Sequence, residues 1–265
     1  MGTPKAALEW HGSTLLRRTT GILARVTGGP VVVVRAAGQP LPALPPDVEV
    51  VDDPRPGVGP LQGIAAGLAA LAGRADVAFV SATDLPFLHP AFAARVLRAL
   101  DEERADVALP VARGYPQPLA AAYRTALAPL VDELIMAERQ RPAFLFAECA
   151  VVRLDEPALR ADPALAAADP ALDSVVNVNE PADYQKARAA PAPEVTIELA
   201  GSLAGGQRGP RPARAATVAQ AAAAAGLTLD RHVLAALNGD QLTRDGETPL
   251  AAGDAVLFMT ADAGG

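Results

Sequence analysis

The sequence predicts an α/β protein, a doubly wound and mostly parallel sheet, followed by a small α+β module. Three observations carry this. Short, almost continuous apolar runs alternate with helix-like stretches over the first 188 residues, the pattern of a parallel sheet covered on both faces. The pattern changes near residue 189, where AAPAP suits a stiff linker. Hydrophobic residues make up 51% of the 265-residue chain and charged residues 20%, enough to build packed cores. The organisation expected is a first domain over 1–188, a linker over 189–193 and a second domain over 194–265.

Taken in order, the runs VVVV (from Val31), VEVV (from Val48), VAFVS (from Val77) and DVALP (from Asp106) read as buried strands. Leu61 to Leu71, Ala91 to Glu103 and Thr125 to Arg139 read as helices between or after them. Beyond the linker, VTIEL is a strand and a Gly/Arg/Pro loop follows. TVAQAAAAAG is a helix with Thr217 at its start and Gly226 at its end. Asn238-Gly239 signals a hairpin, and DAVLFM is the last strand.

The net charge of −7 argues against broad electrostatic binding to nucleic acid or an anionic membrane. No apolar run reaches the roughly 20 residues of a membrane span, and MGTPKAALEW lacks the apolar core of a signal peptide. The single cysteine, Cys149, permits neither an intramolecular disulfide nor a cysteine zinc cluster. It reads as a small buried apolar residue. His11, His89 and His232 are scattered, and read as surface or cap residues. Trp10 reads as packing near the first helix. A cytoplasmic location is expected. Only two of the 23 basic side chains are lysines, Lys5 and Lys186, so each is a candidate for a place that arginine does not serve.

In open α/β sheets ligands bind beyond the carboxyl ends of the strands, and four segments there carry chemistry. Lys5, beside Gly2-Thr3-Pro4, can neutralise a triphosphate as a compact charge, or be an exposed terminal lysine. Asp52 and Asp53 end a strand and lead to Gly59-Pro60-Leu61-Gln62-Gly63, a turn opening a helix whose N-terminus favours phosphate; a solvated loop is the alternative. Asp84, just past VAFVS and followed by Leu85-Pro86, is placed for Mg²⁺ or for a turn. Asn177 and Asn179 alternate in VNVNEP, so both face one side of an extended segment and can read a heterocycle's edge; a helix cap is the alternative.

In this order the motifs MG-TPK-AAL, VVDD-P, GPLQG, SATDLPFL, QPLAAAYR and VVNVNEP resemble the molybdenum cofactor guanylyltransferases, over residues 1 to about 188. The resemblance implies a Rossmann-like nucleotidyltransferase that moves GMP from Mg-GTP to the terminal phosphate of molybdopterin, releasing pyrophosphate. It implies that Lys5 contacts the triphosphate, that Asp84 holds Mg²⁺ and that Asp53 binds the nucleotide. Asn177 and Asn179 would border the pterin. The family opens with a strand and a glycine-rich loop, on the order of 15 residues, of which Met1-Gly2 would be the end. A start placed too late is the expectation. That loop reads the base, so GTP and CTP are not separated by these residues.

The second module resembles the ubiquitin-like sulfur carriers, the small subunit of molybdopterin synthase and its thiamine-pathway relative. The carrying motifs are VTIEL, TVAQ, LNGD, TPLAAGDAVLFM and the final Gly264-Gly265. The resemblance implies a β-grasp fold and a Gly265 thiocarboxylate. It also implies two partners, an activating enzyme and the synthase large subunit. Other readings are a nucleotidyltransferase for another acceptor, such as a sugar phosphate, and a non-catalytic scaffold carrying the sulfur carrier.

Overall fold

The computed structural model describes residues 4–55, 57, 59–205 and 209–261. The chain begins with a short hairpin, β1 (Glu9–Trp10) and β2 (Ser13–Thr14), turned at His11 and Gly12, which have φ of 45° and 89°. Thr14 then caps α1 (Leu15–Thr27), its side chain accepting from the Arg17 amide. Gly28 ends that helix in the left-handed conformation, the glycine C-terminal cap.

The four strands expected in the first 188 residues form at the predicted places. β3 (Val31–Ala36) and β4 (Val48–Asp53) pair in parallel, with Val31 opposite Val48. α2 (Pro60–Leu71) follows, then β5 (Val77–Ser81), α3 (Pro90–Glu102) and β6 (Val107–Ala112). Arg113 and Gly114, both at positive φ, turn the chain into β7 (Tyr115–Pro116). This is a two-residue hairpin, which needs that conformation.

β8 (Ala120–Arg124) corrects the expectation of a mostly parallel sheet. It lies between β5 and β6 and runs antiparallel to both. The hairpin at Arg113-Gly114 reverses the chain, so β8, a strand the sequence reading did not list, returns inside the sheet. α4 (Ala128–Met136) and α5 (Pro142–Leu145) come next. The helix expected over 125–139 is shorter because Thr125–Leu127 form a 3₁₀ turn first. Pro129 sits in the first turn of α4, where its missing N–H costs nothing. β9 (Val151–Leu154) pairs in parallel with β6, and α6 (Glu156–Arg160), α7 (Pro163–Ala168) and α8 (Pro181–Arg188) complete the part.

Both sheet faces are covered. On one, Ile22 of α1 and Phe92, Val96 and Leu100 of α3 pack on Phe79, Ala108 and Leu154. On the other, α2 and α4 pack on Val107, Leu109 and Tyr123. Successive β6 residues therefore alternate between two cores, which is why that strand is apolar throughout. Tyr123 is fully buried, and its hydroxyl donates to the Pro118 carbonyl at 2.7 Å. Burial pushes its phenol far above the ordinary value.

The sheet is interrupted. β3–β4 form one pair and β5-β8-β6 another group, and no backbone ladder joins β3 to β5. Between them lies a slot of about 340 Å³, walled by residues 31–36 and 78–83 and by one face each of α1 and α2.

After α8 the chain forms β10 (Glu194–Leu199), β11 (Arg211–Arg214), α9 (Val218–Ala224), β12 (Val233–Leu237), β13 (Gln241–Thr243) and β14 (Ala255–Thr260). The sheet order is β11-β10-β14-β12-β13, with β10 and β14 parallel at the centre. Thr217 caps α9 and Gly226 closes it at φ 74°, as expected. Asn238 and Gly239 have φ of 53° and 87°, with Leu237 opposite Gln241. The hairpin loop therefore holds Asp240 as well as the Asn-Gly pair. Val218, Ala221 and Ala222 of α9 pack on Ile197, Ala235, Val256 and Phe258 in a separate core.

The turn that precedes β14, residues 245–254, docks on α1. Arg25 makes a paired contact with Asp254 at 2.7 and 2.9 Å. Arg17 pairs with Asp245 and Glu247, and Gln220 donates to the His11 carbonyl at 2.6 Å. Gly21 faces Pro249 so closely that a Cβ there would sit 2.5 Å from Pro249 Cδ.

Candidate functional site

Four of the residues singled out from sequence meet at the carboxyl end of β5. Lys5 Nζ donates to Asp84 Oδ2 at 2.7 Å and to Asn179 Oδ1 at 2.7 Å. Asn177 Nδ2 donates to Asp84 Oδ1 at 3.2 Å. The backbone joins them too, since the Val178 amide donates to the Asp84 carbonyl at 3.0 Å. These contacts span 174 residues of sequence separation between Lys5 and Asn179.

Local packing explains the convergence. Val178 is buried while Asn177 and Asn179 are exposed, so the segment is extended and alternates as its sequence requires. Val178 enters a small core with Leu8, Trp10, Leu15 and Ala187, and Phe87 and Tyr184 pack against it. Trp10 and Phe87 meet edge to face, 5.5 Å between centroids. The 3₁₀ turn that carries Lys5, which runs into Leu8 and β1, and the loop that carries Asp84 are thus pinned to one core. Asp84 is 15% exposed and Lys5 37%, so the pair sits in a cleft rather than free in water.

Asp53 is placed apart. It ends β4, and its Oδ1 accepts from the Arg55 amide at 2.8 Å, a local turn. It lines the slot with Gly59, Pro60 and Gly63 on one side, and with Ser81, Ala82 and Thr83, the residues leading to Asp84, on the other. Gly59 has φ 117°, a conformation that favours glycine, and opens α2 with no side-chain cap. The positive end of α2 therefore faces the slot. Gly265 lies outside the described residues. Met1 to Thr3 do too.

The oxygens gathered here are the Asp84 carboxylate and the Asn179 amide oxygen; Asn177 turns its amide nitrogen, and Lys5 its ammonium, toward Asp84. Among the described residues no three His, Cys, Asp or Glu side chains cluster as a metal cage. A hard cation that keeps water and takes substrate phosphates fits such a set; a zinc site does not.

The histidines behave as caps and packing. His89 Nδ1 accepts from the Ala91 amide at 3.1 Å, capping α3, and its other ring nitrogen donates to the Ala252 carbonyl at 3.0 Å. Burial lowers the pKa of His89 and of His11. Cys149 is half-buried, and its thiol is pushed up to about 11, first by burial and then by the charge of Asp106.

Sequence reasoning missed Arg18. It is 8% exposed and donates to the carbonyls of Pro86 at 2.6 Å, Leu250 at 3.0 Å and Leu88 at 3.4 Å. The signal was present: with Leu15 and Ile22, Arg18 falls at i, i+3, i+7 of a helix, so an arginine occupies the apolar stripe.

The model of the MobA-like NTP transferase domain family matches residues 1–157. The chain belongs to this family. It is a nucleotidyltransferase of the molybdenum cofactor guanylyltransferase type. A protein of Mycobacterium tuberculosis described as a probable molybdenum cofactor guanylyltransferase is 41% identical over 155 residues, 57% of this chain and 75% of that protein. A Mycobacterium ulcerans protein of the same description is 39% identical over 148 residues, 55% of this chain and 72% of its own. The crystal structure of molybdopterin-guanine dinucleotide biosynthesis protein A from Archaeoglobus fulgidus superposes with a TM-score of 0.55 at 22% identity, over 71% of this chain and 90% of that one. It shows a common fold. Asn177 and Asn179 lie beyond the family match, as does the whole C-terminal sheet. Among the described residues no helix is long and apolar enough to cross a membrane.

Proposed function

We propose that the first domain, residues 1–188, transfers GMP from GTP to the terminal phosphate of molybdopterin and releases pyrophosphate. The observation that carries this is the Lys5–Asp84–Asn177–Asn179 cluster at a strand's carboxyl end, beside a slot large enough for a small ligand. Lys5 is a compact cation paired with Asp84, the residue after the slot-lining Thr83, and is suited to hold phosphate oxygens. Asp84 accepts from Lys5 and Asn177, so its carboxylate is fixed in one orientation. Mg²⁺, where bound, would supply charge neutralisation of the phosphates. Asp84 would hold it, with Asn177 and Asn179 close enough to border the pterin. The acceptor phosphate is already anionic, so the residues need only align it and compensate charge, and no strong base is required. Asp53, across the slot from Ser81, Ala82 and Thr83, would bind the nucleotide.

The interrupted sheet supports a further part of this reading. β3 and β5 present edges to the slot without bonding each other. A parallel strand between them, leading by a glycine-rich loop to Lys5, would close the sheet and bring backbone amides to the phosphates. The experiment is calorimetry with Mg-GTP, comparing this chain with one extended at its N-terminus by such a strand and loop. The extended chain is expected to bind at least tenfold tighter; equal affinity would refute a role for that segment.

The second domain, residues 194–265, reads as a β-grasp, ubiquitin-like sulfur carrier. What supports it is the central parallel pair β10–β14 in a five-stranded sheet packed against one helix. Its working group would be the Gly265 carboxylate, activated as an adenylate and converted to a thiocarboxylate. The partners would be an activating enzyme and the large subunit of molybdopterin synthase.

A further inference from the structure

Arg18 touches both halves of the chain at once. Its three acceptors are Pro86 and Leu88, in the loop that follows Asp84, and Leu250, in the turn before β14. A guanidinium is a rigid, planar fork of five donors, so its contacts do not adjust independently. The group is buried, and a donor left unpaired there is costly. Burial, and then the charge of Arg25, lowers its pKa to about 10, so it stays protonated at neutral pH. The 248–254 turn is itself held on α1. Arg25 bridges Pro249 O and Asp254, Pro249 lies against Gly21, and Ala252 O accepts from His89. His89 follows Leu88 directly, so one position of the loop bonds this turn itself and its neighbour is joined to it through Arg18.

We propose that Arg18 is a positioning residue for the nucleotidyl-transfer site, and that the docked C-terminal domain steadies the Asp84 loop through it. Leu250 O fixes one arm of the fork, and the other arms hold Pro86 O and Leu88 O. Pro86 lies two residues from Asp84, whose own carbonyl accepts from Val178. The C-terminal domain thus acts on the site from outside it, whatever its tail does. This rests on the reading of Asp84 as the carboxylate that holds the metal.

Two variants of the full chain test it from opposite sides. Gly21→Ala adds one methyl group that must push Pro249 away, and alanine favours the helix it enters. Arg18→Lys keeps the charge and loses the fork. Amide exchange is read by mass spectrometry on residues 82–89 and 248–254, without nucleotide. Both variants are expected to speed exchange about tenfold at both segments, with far-ultraviolet circular dichroism unchanged. Faster exchange at 248–254 alone, or at neither segment, overturns the coupling. Should Arg18→Lys fail to fold, Gly21→Ala decides by itself. A second readout is the Mg²⁺ concentration giving half-maximal pyrophosphate release. It is expected to rise about tenfold in both variants, with the KM for GTP at saturating Mg²⁺ within twofold. Coupled exchange with an unmoved Mg²⁺ dependence would overturn the positioning of Asp84, while leaving the contact between the domains in place.

Discussion

Asp254→Ala removes the acceptor that ties Arg25 of α1 to the turn before β14. In the native protein Asp254 accepts from Arg25 Nη1 at 2.9 Å and Nη2 at 2.7 Å, from Asn238 Nδ2 at 2.9 Å and from the Ala251 amide at 2.7 Å. Both side chains of the ion pair are 7% exposed, so water screens the loss little. Arg25 keeps only the Pro249 carbonyl, at 2.9 Å. Stranding one partner of a buried pair costs about 3–5 kcal/mol. With an unfolding entropy of roughly 2.1 cal/mol/K per residue, that is a drop of about 5–9 °C in melting temperature for a chain this long. The assay is thermal and urea unfolding followed by circular dichroism and by the fluorescence of Trp10, the single tryptophan, which is 4% exposed in the first domain. Because Asp254 lies in the second domain, the account requires the Trp10 transition to move with it. A Trp10 transition that stays put, or a cost below about 1 kcal/mol, the range of exposed pairs, would refute the reasoning.

Two other outcomes follow from the same structure. His89 is pushed below its ordinary pKa of 6.5, chiefly by burial. The unfolded chain therefore binds the proton first as pH falls; the stability is full above pH 6.5 and declines as pH drops from there towards the lower folded value. His89→Gln should flatten that decline, and an unchanged acid profile would show that another group sets it. For the tail, incubation with an activating enzyme, ATP and a sulfur donor should add about 16 Da by intact mass, oxygen replaced by sulfur. One residue appended after Gly265 should block the gain, and no gain beside a working carrier would leave the tail inert.

The strands of the first domain were legible because a strand buried on both faces reads as an unbroken apolar run, as β6 does; Val31–Val34 is as apolar, although only Val33 of it is buried. Direction was not legible. The AAAY run in β8 is equally apolar in a parallel or an antiparallel place, and only the turn at Arg113-Gly114 decides. The shortest elements, β1, β2 and β7, have two residues each and no periodicity to read. Of the site, Lys5, Asp84, Asn177 and Asn179 were visible as polar residues at strand ends and in an alternating segment. That they bond one another was not, because the small core around Trp10 and Val178 is assembled from distant parts of the chain. Asp53 was found as a candidate, yet it faces the slot from the other side. Arg18 was hidden by its type: an arginine on a helix is ordinarily a solvated residue.

The central claim is that Asp84, held by Lys5 and Asn177, is the carboxylate of the nucleotidyl-transfer site. The direct measurement is pyrophosphate release from Mg-GTP and molybdopterin, for Asp84→Ala against the parent sequence, both carrying the N-terminal strand and loop described above. Loss of one carboxylate at the phosphates is expected to lower turnover by at least about 10²-fold, the scale of removing one electrostatic group from a transition state. Circular dichroism should stay unchanged. Turnover within twofold of the parent would remove Asp84 from the site and contradict the account.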